Sequence, residues 1–187
     1  MYVVGITSIP ERANGGMLQR CLRSLLRQSM PPARIVVTLP LSRRGQSLAY
    51  DGAQLATVRA MPGVEVVQPA EDEGPLSKLL GLLDWRAALP ADDPLQDAAV
   101  ALADDDCVYE VNTFSTLYAR LDLEAVGFAG RQAGTLHYIH CPDHQVSQHV
   151  AFLETFAGVM YAAALFPAGA AAALRRLQQA VPDSYFT

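Results

Sequence analysis

The sequence predicts an α/β fold in which a mostly parallel central sheet is flanked by helices and followed by a smaller, mixed C-terminal part. Three observations carry this. Short β-branched runs alternate with apolar segments of helical period over the first 106 residues. Gly and Pro punctuate the joins between them. Beyond Asp106 the pattern changes to short strand-like runs with less regular connections. Regular strand–helix alternation favours parallel βαβ units with right-handed crossovers. A chain of 187 residues with 51% hydrophobic and 18% charged residues is large enough for a substantial core in one domain, 1–187, and excludes disorder over most of its length.

Taken in order, Tyr2 to Thr7 is a β-branched run closed by Ser8, Ile9 and Pro10, as for a buried strand. Gly15-Gly16 opens "MLQRCLRSLLRQS", where Leu18, Cys21, Leu22, Leu25 and Leu26 stand at helical spacing. Pro31-Pro32 ends that helix, and "ARIVVTLP" is the second strand. "GAQLATVRAM" is a weaker helix and "GVEVVQP" the third strand. "PLSKLLGLLDWRAAL" is a helix with Pro75 in its first turn, where a missing N–H costs nothing. "DAAVALAD" is the fourth strand. "TFSTLYARLDL" is expected to be helical, "AVGFAG" and "TLHYIHC" extended. The alanine-rich tail reads as two helices, because Pro167 and Gly169 interrupt it.

The formal net charge of -5 gives no global electrostatic case for nucleic acid or an anionic membrane. Three cysteines at no framework spacing do not suggest a disulfide scaffold. The N-terminus lacks the basic start and apolar stretch of a signal peptide, and no run reaches the ~20 apolar residues of a membrane span. A cytoplasmic protein is the expectation. Arginines crowd the first 60 residues and acids dominate from Glu71 to Asp106, a split suited to an anionic ligand that also recruits a cation.

The chemistry concentrates in "ALADDD". Ligands of open α/β sheets bind beyond the carboxyl ends of the strands, where Asp104, Asp105 and Asp106 stand. Alternation along a strand points Asp104 and Asp106 one way and Asp105 the other. Two carboxylates form a hard oxygen site suited to Mg2+ or Mn2+, completed by water and ligand phosphates. The competing reading is a solvated acidic turn. The paired aspartates of "PADDP" lack a preceding strand and are a plain loop. Lys78, in the first turn of its helix, adds a positive charge where free N–H groups already favour phosphate. Arg12 follows the first strand at the same edge of the sheet.

These residues carry a resemblance. The succession "TSIPER", "LLRQSMPP", "RIVVTLP", "EGPLSKLL", "ALADDD" and "GFAGR…ETFAGVMY" resembles the GT-A-fold glycosyltransferases, within them the family-2-like nucleotide-diphospho-sugar transferases, over nearly the whole chain. The resemblance implies a Rossmann-like GT-A fold with a nucleotide-sugar-binding half (1–106) and an acceptor-side half (107–187). It implies an aspartate-x-aspartate motif in Asp104 and Asp106 holding a divalent cation, Mn2+ or Mg2+, on a nucleotide-diphospho-sugar donor. Asp104 and Asp105 would lie near the sugar nucleotide, Thr7 and Arg12 along it, and Lys78 near the base or phosphates. "AGVMY", Ala157 to Tyr161, is similar to the start of the family's acceptor-side helix, with Glu154 as an acceptor contact. The acceptor would be a saccharide or another hydroxyl compound.

An inverting transfer needs a carboxylate to deprotonate the acceptor hydroxyl. Family members usually continue beyond the equivalent of "PDSYFT" into an acidic segment that often holds this base. The resemblance therefore implies a chain shortened after Thr187, or else Glu154 or Asp183 as the base, or a silent sugar-nucleotide-binding or interaction module. Histidines cluster between His137 and His149, and His140, Cys141 and His144 could bind structural zinc, though their spacing matches no common zinc module. The competing reading is a polar loop bordering the acceptor cleft.

Overall fold

A computed structural model describes residues 1–121, 125–131, 138–140, 152–153 and 158–180. The elements run β1 (Tyr2–Thr7), α1 (Pro10–Asn14), α2 (Met17–Leu26), β2 (Arg34–Thr38), β3 (Ser42–Arg43), β4 (Gln46–Ser47), α3 (Gly52–Arg59), β5 (Val64–Val67) and α4 (Ser77–Ala87). They continue with β6 (Ala99–Leu102), α5 (Thr113–Ala119), β7 (Ala125–Gly127), β8 (Ala129–Arg131), β9 (Tyr138–His140), β10 (Phe152–Leu153), β11 (Val159–Tyr161) and α6 (Ala170–Ala180).

The main sheet has the order β5-β2-β1-β6-β11-β7. Its first four strands are parallel, as strand–helix alternation requires, and β11 adds antiparallel to both β6 and β7. Strand alternation sends Val4, Ile6, Ile35 and Val37 to one face, where Leu18, Cys21, Leu22 and Leu25 of α2 cover them. Val3, Val36, Val100 and Leu102 go to the other, under Leu79, Leu82 and Leu83 of α4. Burial of each such side chain is worth about 1.5–3 kcal/mol, so the two-sided core fixes the strand register strongly.

Helix and sheet approach closely where side chains are smallest. A Cβ on Gly5 would lie 2.4 Å from the Lys78 carbonyl oxygen, and one on Gly81 would lie 2.0 Å from Thr38 Oγ1. The two glycines let α4 settle onto β1 and β2, which brings its N-terminal end to the carboxyl ends of the parallel strands.

Several boundaries differ from the sequence expectation. The short helix α1 begins inside "TSIPER", at Pro10 with its preset φ. The hairpin β3–β4 turns through Arg44, at φ 51, and Gly45, at φ 75, within a segment too polar to read as strand. "AGVMY" does not start a helix: Val159–Tyr161 is strand β11, hydrogen-bonded on both edges and seated over Phe114 and Leu117 of α5 through Gly158. The β-branched and aromatic ends of "VMY" suit that place better than a helical turn. The first tail helix shrinks to a 3-10 turn, Ala163–Leu165, before α6. Among the described residues no helix is long and apolar enough to cross a membrane.

Candidate active site

β6 ends at Leu102, two residues short of the acids. Ala103 remains on the α2 face of the sheet and Asp104 turns towards α4, continuing the alternation for one more step. The chain then turns over Asp105 and Asp106, with the Cys107 N–H 3.5 Å from the Asp104 carbonyl. This turn removes the expected arrangement of Asp104 and Asp106 on one side with Asp105 opposite. Instead Asp104 faces the ammonium of Lys78, while Asp105 and Asp106 share Arg12. Alternation is a property of extended backbone, and these acids lie beyond it.

Each acid has its own environment. Asp105 is buried, its side chain only 4% exposed, and accepts hydrogen bonds from Ser8 Oγ at 2.5 Å and Arg12 Nη1 at 2.6 Å. Arg12 Nη2 reaches Asp106 Oδ2 at 3.2 Å. The hydrogen bond to Asp105, aided by the charges of Asp105, Asp106 and Asp104, raises the Arg12 pKa above its ordinary value against the opposing effect of burial. Lys78 is nearly buried and makes an ion pair with Asp104 Oδ1. Asp104 and Asp106 keep 25% and 39% of their side-chain surface exposed, so the two outer acids present hard oxygens to solvent while the middle one is committed to the protein. That donor set suits two positions of a Mg2+ or Mn2+ shell whose remainder comes from phosphates and water. Among the described residues no group of three or more His, Cys, Asp or Glu side chains could by itself hold a metal ion.

The backbone beneath the acids is held firmly. The Asp104 N–H donates to Tyr109 Oη at 2.8 Å, and Cys21 Sγ donates to the Asp104 carbonyl at 3.3 Å. Tyr109 N–H in turn donates to Ser24 Oγ at 3.0 Å, and its ring meets Phe114 edge-on. Burial pushes the Tyr109 phenol and the Cys21 thiol well above their usual ranges, so both stay protonated. On the other rim, Tyr50 Oη donates to the Ser8 carbonyl at 3.2 Å.

The structure therefore brings Arg12, Lys78, Asp104, Asp105 and Asp106 together. Thr7 is close in sequence but its hydroxyl donates to the Thr38 carbonyl at 3.1 Å, across the β1–β2 pair, and the next residue, Ser8, reaches the acids instead. Ser8 and Tyr109 escaped the sequence reading, because a single hydroxyl residue at a strand end gives no pattern. Glu154, Asp183 and Cys141 lie outside the described residues, as do His137, His144 and His149. For His140 only the backbone of β9 is described, so the zinc reading falls largely outside the described residues too.

Comparison with known proteins bears on the fold and the family. No curated protein matches the chain. Among solved structures, the Francisella tularensis 2-C-methyl-D-erythritol 4-phosphate cytidylyltransferase is similar in fold, with 13% identity, 97% of this chain and 82% of that one covered, and a TM-score of 0.57. Staphylococcus aureus TarS (1-349) follows at 13% identity, 88% and 48% coverage and a TM-score of 0.53. A mannosyltransferase from Pyrobaculum calidifontis, in complex with GDP-Man and Mn2+, has 18% identity and a TM-score of 0.49, and this match covers 70% of the present chain but only 35% of that protein. At such identities the likeness to solved structures shows the fold alone. The sequence shows the family: the family described as glycosyltransferase like family 2 matches residues 2–177, and the chain belongs to that family.

Proposed function

We propose that this protein is a metal-dependent glycosyltransferase that moves a sugar from a nucleotide-diphospho-sugar to an acceptor hydroxyl. The carrying observation is the charge balance at the end of β6. Among the described residues three carboxylates face two cations, Arg12 and Lys78, leaving one net negative charge. A divalent cation alone would make the cluster positive, and a diphosphate alone would make it strongly negative. Together they leave the balance unchanged, so the cluster favours taking both. Family membership supports a transferase, and the two partly exposed acids support a cation site.

In this reading Asp104 and Asp106 hold the cation, which when bound supplies positive charge that polarises the donor diphosphate. Lys78 and Arg12, released in part from the acids, face the same diphosphate. They stabilise the negative charge that develops as the sugar–phosphate bond breaks and a nucleoside diphosphate leaves. Asp105, held between Ser8 and Arg12, keeps the guanidinium fork aimed along the nucleotide, with Thr7 on the strand beside it. Glu154 or Asp183 would accept the proton of the acceptor hydroxyl.

Calorimetry with UDP-, GDP- and CDP-sugars, with and without Mn2+ or Mg2+, tests the donor site. A donor-hydrolysis and transfer assay then tests catalysis. The expected result is cation-dependent binding of one donor, abolished by chelation and by changing Asp104 and Asp106 together to Ala, with turnover of that donor. Absence of nucleotide binding, or binding indifferent to the double change, overturns the transferase reading. Cation-dependent binding without turnover identifies a silent nucleotide-sugar-binding module instead.

A further inference from the structure

We infer that α6 is a clamp on the donor site, with Arg175 a positioning residue that acts through Glu73 on Lys78. The inference rests on the donor reading of Lys78 given above. Arg175 grips the α4 unit at two points. Nε and Nη2 donate to Glu73 Oε1 and Oε2 at 2.5 and 2.9 Å, and Nη1 and Nη2 donate to Asp84 Oδ1 and Oδ2 at 3.1 and 2.6 Å. Two forked contacts of this kind fix both position and angle, which a single ammonium cannot do. Gln178, on the next turn of α6, donates Nε2 to the Glu73 carbonyl at 3.1 Å. Glu73 is thus held by its side chain and by its main chain. α6 is itself seated, since Ala170, Ala171 and Leu174 pack on the core beneath α4.

What α6 holds is the turn that delivers Lys78. The Glu73 N–H donates to Ser77 Oγ at 2.9 Å, and Ser77 Oγ donates to Asp72 Oδ1 at 3.0 Å. The Gly74 N–H donates to the same Asp72 oxygen at 2.9 Å, and Gly74 takes φ 67, which a side chain would strain. Residues 72 to 77 therefore move as one piece, and Lys78 is the next residue. A displacement of Glu73 passes to Ser77 through one hydrogen bond and to the Lys78 ammonium opposite Asp104. Asp84 lies two turns further along α4, so its half of the clamp anchors the helix without touching the turn.

That division makes the inference testable on the full chain. The affinity of the nucleotide-sugar that binds the wild-type protein with Mn2+ is measured by calorimetry for Arg175→Ala, Glu73→Gln, Asp84→Asn and Lys78→Ala, and for the Lys78→Ala/Arg175→Ala pair. Thermal unfolding is followed for each. Arg175→Ala and Glu73→Gln are expected to weaken binding by about fivefold, the low end of usual site-to-site coupling. Asp84→Asn lowers the unfolding temperature but changes affinity by less than about twofold. Arg175→Lys recovers only part of the loss, because it offers no fork. On the Lys78→Ala background, Arg175→Ala adds less than about twofold, since the effect runs through that lysine. If Arg175→Ala does not fold, Glu73→Gln and Arg175→Lys carry the comparison. Wild-type affinity in Glu73→Gln, equal losses in Glu73→Gln and Asp84→Asn, or an undiminished Arg175 effect without Lys78 overturns the clamp while leaving the donor site standing. Wild-type affinity in Lys78→Ala overturns the donor reading itself.

Discussion

Replacing Asp105 and Asp106 separately should give opposite results, although the residues are adjacent and identical. Asp105→Ala removes a buried acceptor shared by Ser8 Oγ (2.5 Å) and Arg12 Nη1 (2.6 Å). A hydrogen bond to a charged group is worth roughly 1.5–3 kcal/mol. The Arg12 side chain is 42% exposed, however, and solvent screening brings its share nearer 1 kcal/mol. Ser8 is 2% exposed and would retain only a strained contact with the Ile9 carbonyl at 3.4 Å, so its orphaned hydroxyl costs about 1–2 kcal/mol more. Relief of repulsion from Asp104 and Asp106 returns a few tenths, roughly. The net loss is about 2–3 kcal/mol, or roughly 5–10 °C in midpoint for a chain of this size. Asp106→Ala, by contrast, removes two exposed contacts, with Arg12 at 3.2 Å and from Cys107 Sγ at 3.7 Å, and should cost less than about 0.5 kcal/mol, while abolishing cation-dependent donor binding. Urea unfolding of both variants, with calorimetric titration of Mn2+ and donor, gives the two readouts. The reasoning is refuted if Asp106→Ala destabilises the fold more than Asp105→Ala, or if Asp105→Ala unfolds like the wild type.

Other consequences follow from neighbouring contacts. Gly5→Ala places a methyl group 2.4 Å from the Lys78 carbonyl, which is backbone and cannot swing away; it should lose about 2–3 kcal/mol in urea unfolding, as overpacking does, and weaken donor binding by shifting Lys78. Arg12→Lys cannot span Asp105 and Asp106 with one ammonium, so calorimetry should show about tenfold weaker donor binding with a stability loss of about 1 kcal/mol or less. Burial, assisted by the charges of Asp72, Glu11 and Asp105, pushes Tyr50 up to about 12, and burial carries Tyr2 and Tyr109 higher still. A phenol whose folded pKa exceeds its unfolded value contributes stability below pH ~10 that is lost as pH rises through the folded pKa. Absorbance titration at alkaline pH should therefore release the buried tyrosines together with loss of far-UV dichroism; complete tyrosine ionisation near pH ~10 with the dichroism intact contradicts that expectation.

The parallel half of the molecule was legible in the sequence because burial on both faces leaves a strong periodic record. Val3, Val4, Val36, Val37 and Val100 have no alternative to a core strand, and Leu18, Cys21, Leu22 and Leu25 have none to a helix that covers it. Boundaries were less legible. "DAAVALAD" reads as a strand as far as Asp104, and extended pairing does continue through the Ala103 N–H to the Gly5 carbonyl, whereas the assigned strand stops at Leu102 ahead of the turn over Asp105 and Asp106. "AGVMY" is a helix start only by its resemblance to the family's acceptor-side helix, while its true state depends on β6 and β7 offering an edge on either side. Tertiary pairing of this kind decides such short segments. The pairing of α6 with Glu73 and Asp84 spans 102 and 91 residues, and no local pattern could announce it.

The acids themselves show why composition reveals a site before geometry does. Three adjacent aspartates cannot be neutral to the fold, since each must find a cation, a donor or water. The sequence thus demands partners for them and limits the candidates to nearby arginines and lysines. It does not say which acid takes which partner, because a one-residue change in where the strand stops exchanges their sides. In the folded chain the stop at Leu102 puts Asp105 inside with Ser8 and Arg12 and leaves Asp104 and Asp106 partly in solvent. The middle acid is therefore a fixed counter-charge that orders the arginine, and the outer two keep part of their surface exposed. Under the proposed function the motif is two ligands built around an internal anchor, not two ligands and a spacer.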